Sequence, residues 1–133
     1  MPVGLVIVAH SQRLAEGVRE VALQMTGGSV TIEAAGGVAG GALGTDAEAI
    51  ARAIAAADSP DGVLVLMDLG SAVLSTEMAV EMLGDRLQGR VVLSDAPLVE
   101  GAVVAAVEAS IGRSLDEVAR TALDARQMTK VKR

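Results

Sequence analysis

The sequence predicts an α/β domain of three layers, α/β/α, built on a mainly parallel, four-stranded central sheet. Three observations predict it. Four short runs rich in β-branched residues alternate with segments of helical spacing. The first and third of these runs are apolar almost throughout, as parallel strands covered on both faces are. At 133 residues the chain can bury roughly two thirds of its unfolded surface, which is enough for one core.

The elements follow in order. Residues 3–9 (VGLVIVA) read as the first strand. From 12 to 26, Leu14, Val18, Val21, Ala22 and Met25 recur at spacings of three and four, opposite Arg13, Glu16, Arg19 and Glu20, so an amphipathic helix with the first set turned inward is expected. Residues 30–35 (VTIEAA) give the second strand and run into the glycine-rich loop 36–44, expected to cover the sheet edge or meet a partner. Thr45 followed by Glu48 has capping-box spacing and opens a helix over 46–57. Pro60-Asp61-Gly62 turns the chain into the third strand, 62–68 (GVLVLMD). Leu74, Met78, Val80 and Leu83 place a helix over 72–84 with Gly84 as its stop, and Met78 and Met82, at i and i+4, are expected to fill the core. Residues 91–94 (VVLS) form the fourth strand. Two helices close the order, the last near 115–128 behind the capping box Ser114/Glu117.

Composition removes several function classes. The apolar runs of five to seven residues fall short of the roughly 20 needed to cross a bilayer, and no charged segment precedes the first of them, so neither membrane span nor signal peptide is expected. The chain lacks cysteine, which removes disulfide and thiol chemistry and favours a cytoplasmic location. With no Phe, Tyr or Trp to stack on bases, and a net charge of −6, nucleic acid is not an expected partner. A basic protein face would suit the acidic surface.

Ligands of an open parallel sheet bind outside the C-terminal ends of its strands. Four segments converge there: His10-Ser11, loop 35–45, Asp68-Leu69-Gly70-Ser71, and 95–101. His10 is the only histidine, so a transition-metal site would have to be made from carboxylates, and none is expected. A lone imidazole can act as acid, base or nucleophile once a second group fixes its tautomer, and Asp68 is placed to accept its Nδ1 hydrogen and leave Nε2 to attack. Gly70 and Ser71 stand at a helix start, where unpaired N–H groups hold anions; Thr45, at another start, is placed similarly. Simple capping explains these residues equally well. Arg13 could pair with an acidic group or help hold phosphate, though a solvated face explains it too. GGVAGG lacks the spacing and position of a dinucleotide fingerprint, and GSAVLS is not the nucleophile elbow of a hydrolase.

Together LVIVAHSQRLAEG, GTDAEAI, VLVLMDLGSAVLSTE and APLVEGAVVA resemble the phosphotransferase-subunit family of bacterial dihydroxyacetone kinase, in its domain akin to the mannose-type EIIA of the sugar phosphotransferase system. The resemblance runs to about residue 126, so 1–126 is expected to be the phosphoryl-transfer domain and 127–133 a basic tail or linker stub. It implies a cytoplasmic phosphohistidine relay in which His10 accepts a phosphoryl group from the carrier HPr and passes it to ADP held on a DhaL subunit. It also implies Asp68 as the partner of the histidine, with Thr45, Gly70, Ser71 and the adjacent Ser11 near the phosphoryl group. The same family implies a homodimer and no cofactor beyond the transient phosphohistidine. Some members carry HPr-like and enzyme-I-like domains after this one. Two other readings remain open: the EIIA domain of a mannose-type sugar permease, with an EIIB protein as acceptor, and a non-enzymatic regulatory module in which His10 is structural.

Overall fold

The structure is a computed structural model that describes residues 2–132. Four parallel strands, β1 (Gly4–Ala9), β2 (Ile32–Gly36), β3 (Val63–Met67) and β4 (Val91–Ser94), lie in the order β2-β1-β3-β4. Strand alternation sorts the core into two layers. Leu5, Ile7, Leu64 and Leu66 face α1 (Gln12–Leu23), α4 (Leu98–Ser110) and α5 (Leu115–Asp124), whereas Val6, Val8, Val63, Val65 and Met67 face α2 (Ala47–Ala57) and α3 (Ser71–Leu83). The expected three layers are therefore present, with helices on both faces. Among the described residues, no helix is long and apolar enough to cross a membrane.

In this strand order the chain leaves β1 in one direction towards β2 and returns past it to β3, so the switch point falls between β1 and β3. The two strands pair from Gly4↔Val63 to Val8↔Met67, and the Asp68 N–H continues the ladder to the Val8 carbonyl at 3.0 Å. That register brings His10 and Asp68 side by side.

Several expected features shift for local reasons. The first helix ends at Leu23 rather than residue 26, because Met25 and Thr26 bond back only three residues, to Ala22 and Leu23, and the chain then turns through Gly27 and Gly28 at positive φ. The last helix ends at Asp124 and finishes in a 3-10 turn, Ala125–Gln127. Thr45 does not cap α2: Asp46 does, its carboxylate accepting from the N–H groups of Glu48 and Ala49 at 3.0 and 3.4 Å. Two cap-forming residues stand in succession, and the one whose side chain reaches the helix N–H groups is the second. The Ser114/Glu117 capping box and the Gly84 stop form as the sequence predicts.

The largest corrections concern the two helices beside the switch point. On α1 the buried residues are Ala15, Val18 and Ala22, while Leu14 and Val21 are exposed, as is Met25 just past the helix end. On α3 the buried residues are Ala72, Thr76, Ala79 and Leu83. Leu74, Met78 and Met82 lie at the surface, so the methionines do not fill the core. Small residues let α1 sit close to the sheet and α3 close to α2, and the bulkier side chains of the neighbouring stripe turn outward.

Candidate functional site

His10 follows directly on β1, and its ring is held from both ends. On one side Nδ1 meets the Asp68 carboxylate, 3.0 Å from Oδ2 and 3.1 Å from Oδ1. On the other, Nε2 is 2.8 Å from Ser71 Oγ. The backbone N–H of His10 also donates to Asp68 Oδ2 at 2.9 Å, and the N–H of Leu69 donates to Oδ1 at 2.7 Å. Asp68 thus fixes the ring and the main chain of His10 at once. Burial of the carboxylate works against ionisation, but the hydrogen bonds from the His10 N–H, the His10 ring and the Leu69 N–H outweigh it and hold Asp68 below the ordinary aspartate range. An ionised carboxylate only accepts, so the hydrogen of the neutral ring belongs on Nδ1 and the lone pair on Nε2. The ring is partly open, with 32% of the His10 side chain exposed against 12% for Asp68. Nε2 therefore lies at the open side of the ring, while Asp68 is enclosed.

The sequence-predicted residues divide into those that meet at His10 and those used elsewhere. Gly70 is the N-cap position of α3, with φ of 56° and no side-chain cap bond. The first-turn bonds run from Ala72 N–H to Leu69 and from Val73 N–H to Gly70, which leaves the N–H groups of Gly70 and Ser71 at the edge for an anion. Thr45 Oγ1 lies 3.3 Å from Ser71 Oγ, so Thr45 belongs to the same cluster. Ser11 Oγ instead accepts from the Leu14 N–H at 3.2 Å and caps α1. Arg13 is exposed on α1.

The glycine-rich loop is pinned against the end of β1. Gly37 N–H donates to the Ala9 carbonyl at 3.3 Å and Gly44 N–H to the His10 carbonyl at 2.9 Å. At Gly36 a Cβ would fall 2.4 Å from the Ser11 carbonyl oxygen, so glycine is needed where β2 passes the site. The loop is thus bonded at both its ends to the end of β1, and it delivers Thr45 to α3.

One member of the cluster escapes a reading of single motifs. Ser75, a turn beyond Ser71, places its Oγ 2.7 Å from Thr45 Oγ1. The available signal was serine at i and i+4 on a helix that starts at the site, which puts both hydroxyls on one face. Among the described residues no three His, Cys, Asp or Glu side chains gather as metal ligands.

Residues 4–119 match the family of the PTS system fructose IIA component. The phosphoryl donor subunit DhaM of PEP-dependent dihydroxyacetone kinase 2 from Listeria innocua is 40% identical over 116 residues, covering 87% of this chain and 93% of that protein. The corresponding DhaM of Escherichia coli is 45% identical over 126 residues, which cover 92% of this chain and 27% of that protein, so the chain spans about a quarter of that longer relative. Among solved structures, a protein of unknown function, EF1359, is similar with a TM-score of 0.81 and 38% identity, covering 93% of this chain and 95% of that one. The mannose/sorbose specific IIA subunit of the phosphotransferase system from Enterococcus faecalis shares the fold, with a TM-score of 0.58 at 22% identity over 99% of this chain and 96% of that one.

Proposed function

The chain belongs to the family of the PTS system fructose IIA component, and we propose that within it the protein is the phosphoryl donor subunit of a phosphoenolpyruvate-dependent dihydroxyacetone kinase, working as a phosphohistidine relay. The observation that carries this reading is the two-ended hold on His10. Nδ1 is fixed by Asp68, and Nε2 points to a hydroxyl-lined edge at the uncapped start of α3.

In the proposed cycle the Nε2 lone pair attacks the phosphorus of a phosphohistidine on HPr. The N–P bond of the donor breaks as the Nε2–P bond forms, and the electron pair leaves with the donor imidazole. Positive charge then develops on the His10 ring, where the ionised Asp68 carboxylate meets it through the Nδ1 hydrogen. In the second half a terminal phosphate oxygen of ADP, held on DhaL, attacks the same phosphorus and His10 recovers its lone pair. Phosphoryl transfer of this kind relies on positioning and electrostatics, so a small domain with no cofactor of its own is sufficient. Ser71 Oγ lies on the lone-pair side of Nε2, and it must turn about χ1 as phosphorus approaches. Once turned, its hydroxyl can donate to a phosphoryl oxygen, with Thr45 and the N–H groups of Gly70 and Ser71 beside it. Both exchanges use one exposed edge, and we place them in the cytoplasm with the protein as a homodimer.

The test is sequential transfer. Incubation with enzyme I, HPr and phosphoenolpyruvate should add one phosphoryl group, seen as intact mass under non-acidic conditions, and DhaL with bound ADP should then remove it. Loss to an EIIB protein but not to DhaL would assign the chain to a sugar permease instead. No gain at all would return His10 to a structural role.

A further inference from the structure

The hydroxyl cluster extends past the residues that reach the phosphoryl group, and its far end has a direction. Ser75 is half-buried on α3, and 2.7 Å to its Oγ is the shortest contact that Thr45 Oγ1 makes. Thr45 is in turn 3.3 Å from Ser71 Oγ, and Ser71 Oγ is 2.8 Å from His10 Nε2. The four groups form one row. With the ring hydrogen on Nδ1, Nε2 of the neutral ring only accepts, so Ser71 donates to it. The Ser71 oxygen is then open to a hydrogen from Thr45, and the Thr45 oxygen to one from Ser75. With Ser71 donating to Nε2, the contacts allow one polarity in which every donor in the row points towards His10.

That polarity fits both states of a relay. Before transfer the end of the row meets a lone pair; after transfer it meets a phosphoryl oxygen, and both are acceptors. The row need not reverse when phosphorus arrives. We infer that Ser75 is a positioning residue for the relay: its hydroxyl holds Thr45 so that Thr45 donates towards Ser71 and the phosphoryl site. Without it, Thr45 Oγ1 has a competing acceptor at hand in the Ser71 carbonyl, already 3.5 Å away, and a bond made there points the donor into α3 instead of the site. The inference rests on the phosphoryl-relay reading, and Ser75 itself touches neither His10 nor the transferred group.

Two measurements test it. The first is phosphoryl uptake from phosphoramidate, a small donor whose N–P bond breaks with release of ammonia as the Nε2–P bond forms. Ser75→Ala should slow uptake on the order of tenfold, Ser75→Thr should restore it, and the double variant Thr45→Ala/Ser75→Ala should be no slower than Thr45→Ala alone. Parental uptake in Ser75→Ala, or losses at Thr45 and Ser75 that multiply, would overturn the inference. The second is the ¹⁵N resonance of Nε2 in the unphosphorylated protein, which should move in Ser75→Ala in the same direction as in Ser71→Ala; an unmoved resonance would overturn it. Failure of the parent to take up any phosphoryl group would strike the relay reading itself, and the nitrogen resonance would still decide whether Ser75 orients the row.

Discussion

Helices α5 and α3 each have a serine at their start, and they use it in opposite ways. At α5, Ser114 Oγ accepts from the Glu117 N–H at 3.2 Å while the Glu117 carboxylate accepts from the Ser114 N–H at 3.1 Å, so the helix end is closed by its own side chains. At α3 the cap position is Gly70, which has no side chain to offer, and Ser71 Oγ turns away from its own helix to His10. The first end is self-sufficient; the second is left open and faces the only histidine. Groups that a stable helix would satisfy internally are left open at α3, and such local departures from the capping rule are where chemistry is expected.

The contrast can be broken from either end. The largest expected effect is at Asp68, on which the open end depends. Asp68→Ala should lower phosphoryl uptake by about a hundredfold, read as the rate of mass gain with phosphorylated HPr, because ring and backbone of His10 lose a shared acceptor. The same variant carries a pH signature. Since Asp68 titrates below its ordinary range when folded, its contribution to stability is present above the unfolded value of about 4 and is lost as pH falls through the folded value. The stability gap between parent and Asp68→Ala in denaturant titrations should be constant near neutrality and close under acid.

A smaller loss is expected at Ser71. Ser71→Ala removes one donor to the phosphoryl group, and uptake should fall by about tenfold with little change in stability. The smallest effect on transfer belongs to the closed end: Ser114→Ala should leave uptake at the parental rate and cost about 1 kcal/mol of stability, measured by denaturant unfolding. A fall in transfer from Ser114→Ala matching that of Ser71→Ala would erase the distinction between the two ends.

Much of this site could be read from the sequence because a parallel sheet collects the ends of its strands on one edge. His10 and Asp68 each follow directly on an apolar strand, and the pairing of Val8 with Met67 brings them together. What periodicity could not decide was which of two adjacent stripes on a helix faces inward. On α1 and α3 the alanine-bearing stripe wins, since close approach of α1 to the sheet and of α3 to α2 favours small residues, and Leu14, Leu74 and Met78 are left at the surface. Nor could composition decide whether Thr45 or Asp46 caps α2. Both types cap well, and the choice depends on backbone angles that the types do not reveal. Freed from capping, Thr45 joins Ser71 and Ser75, whose spacing was visible but whose shared partner arrives from a loop far along the chain.

In the proposed relay, Nε2 of His10 carries the phosphoryl group because Nδ1 is committed to Asp68. The measurement that tests it most directly is NMR of the phosphorylated protein with ¹⁵N in the His10 ring, in which coupling to ³¹P reports which nitrogen bears phosphorus. One phosphoryl group on His10 Nε2, with Nδ1 still protonated, is the predicted result. Phosphorus on Nδ1, or on any residue other than His10, would rule out Nε2 as the carrier.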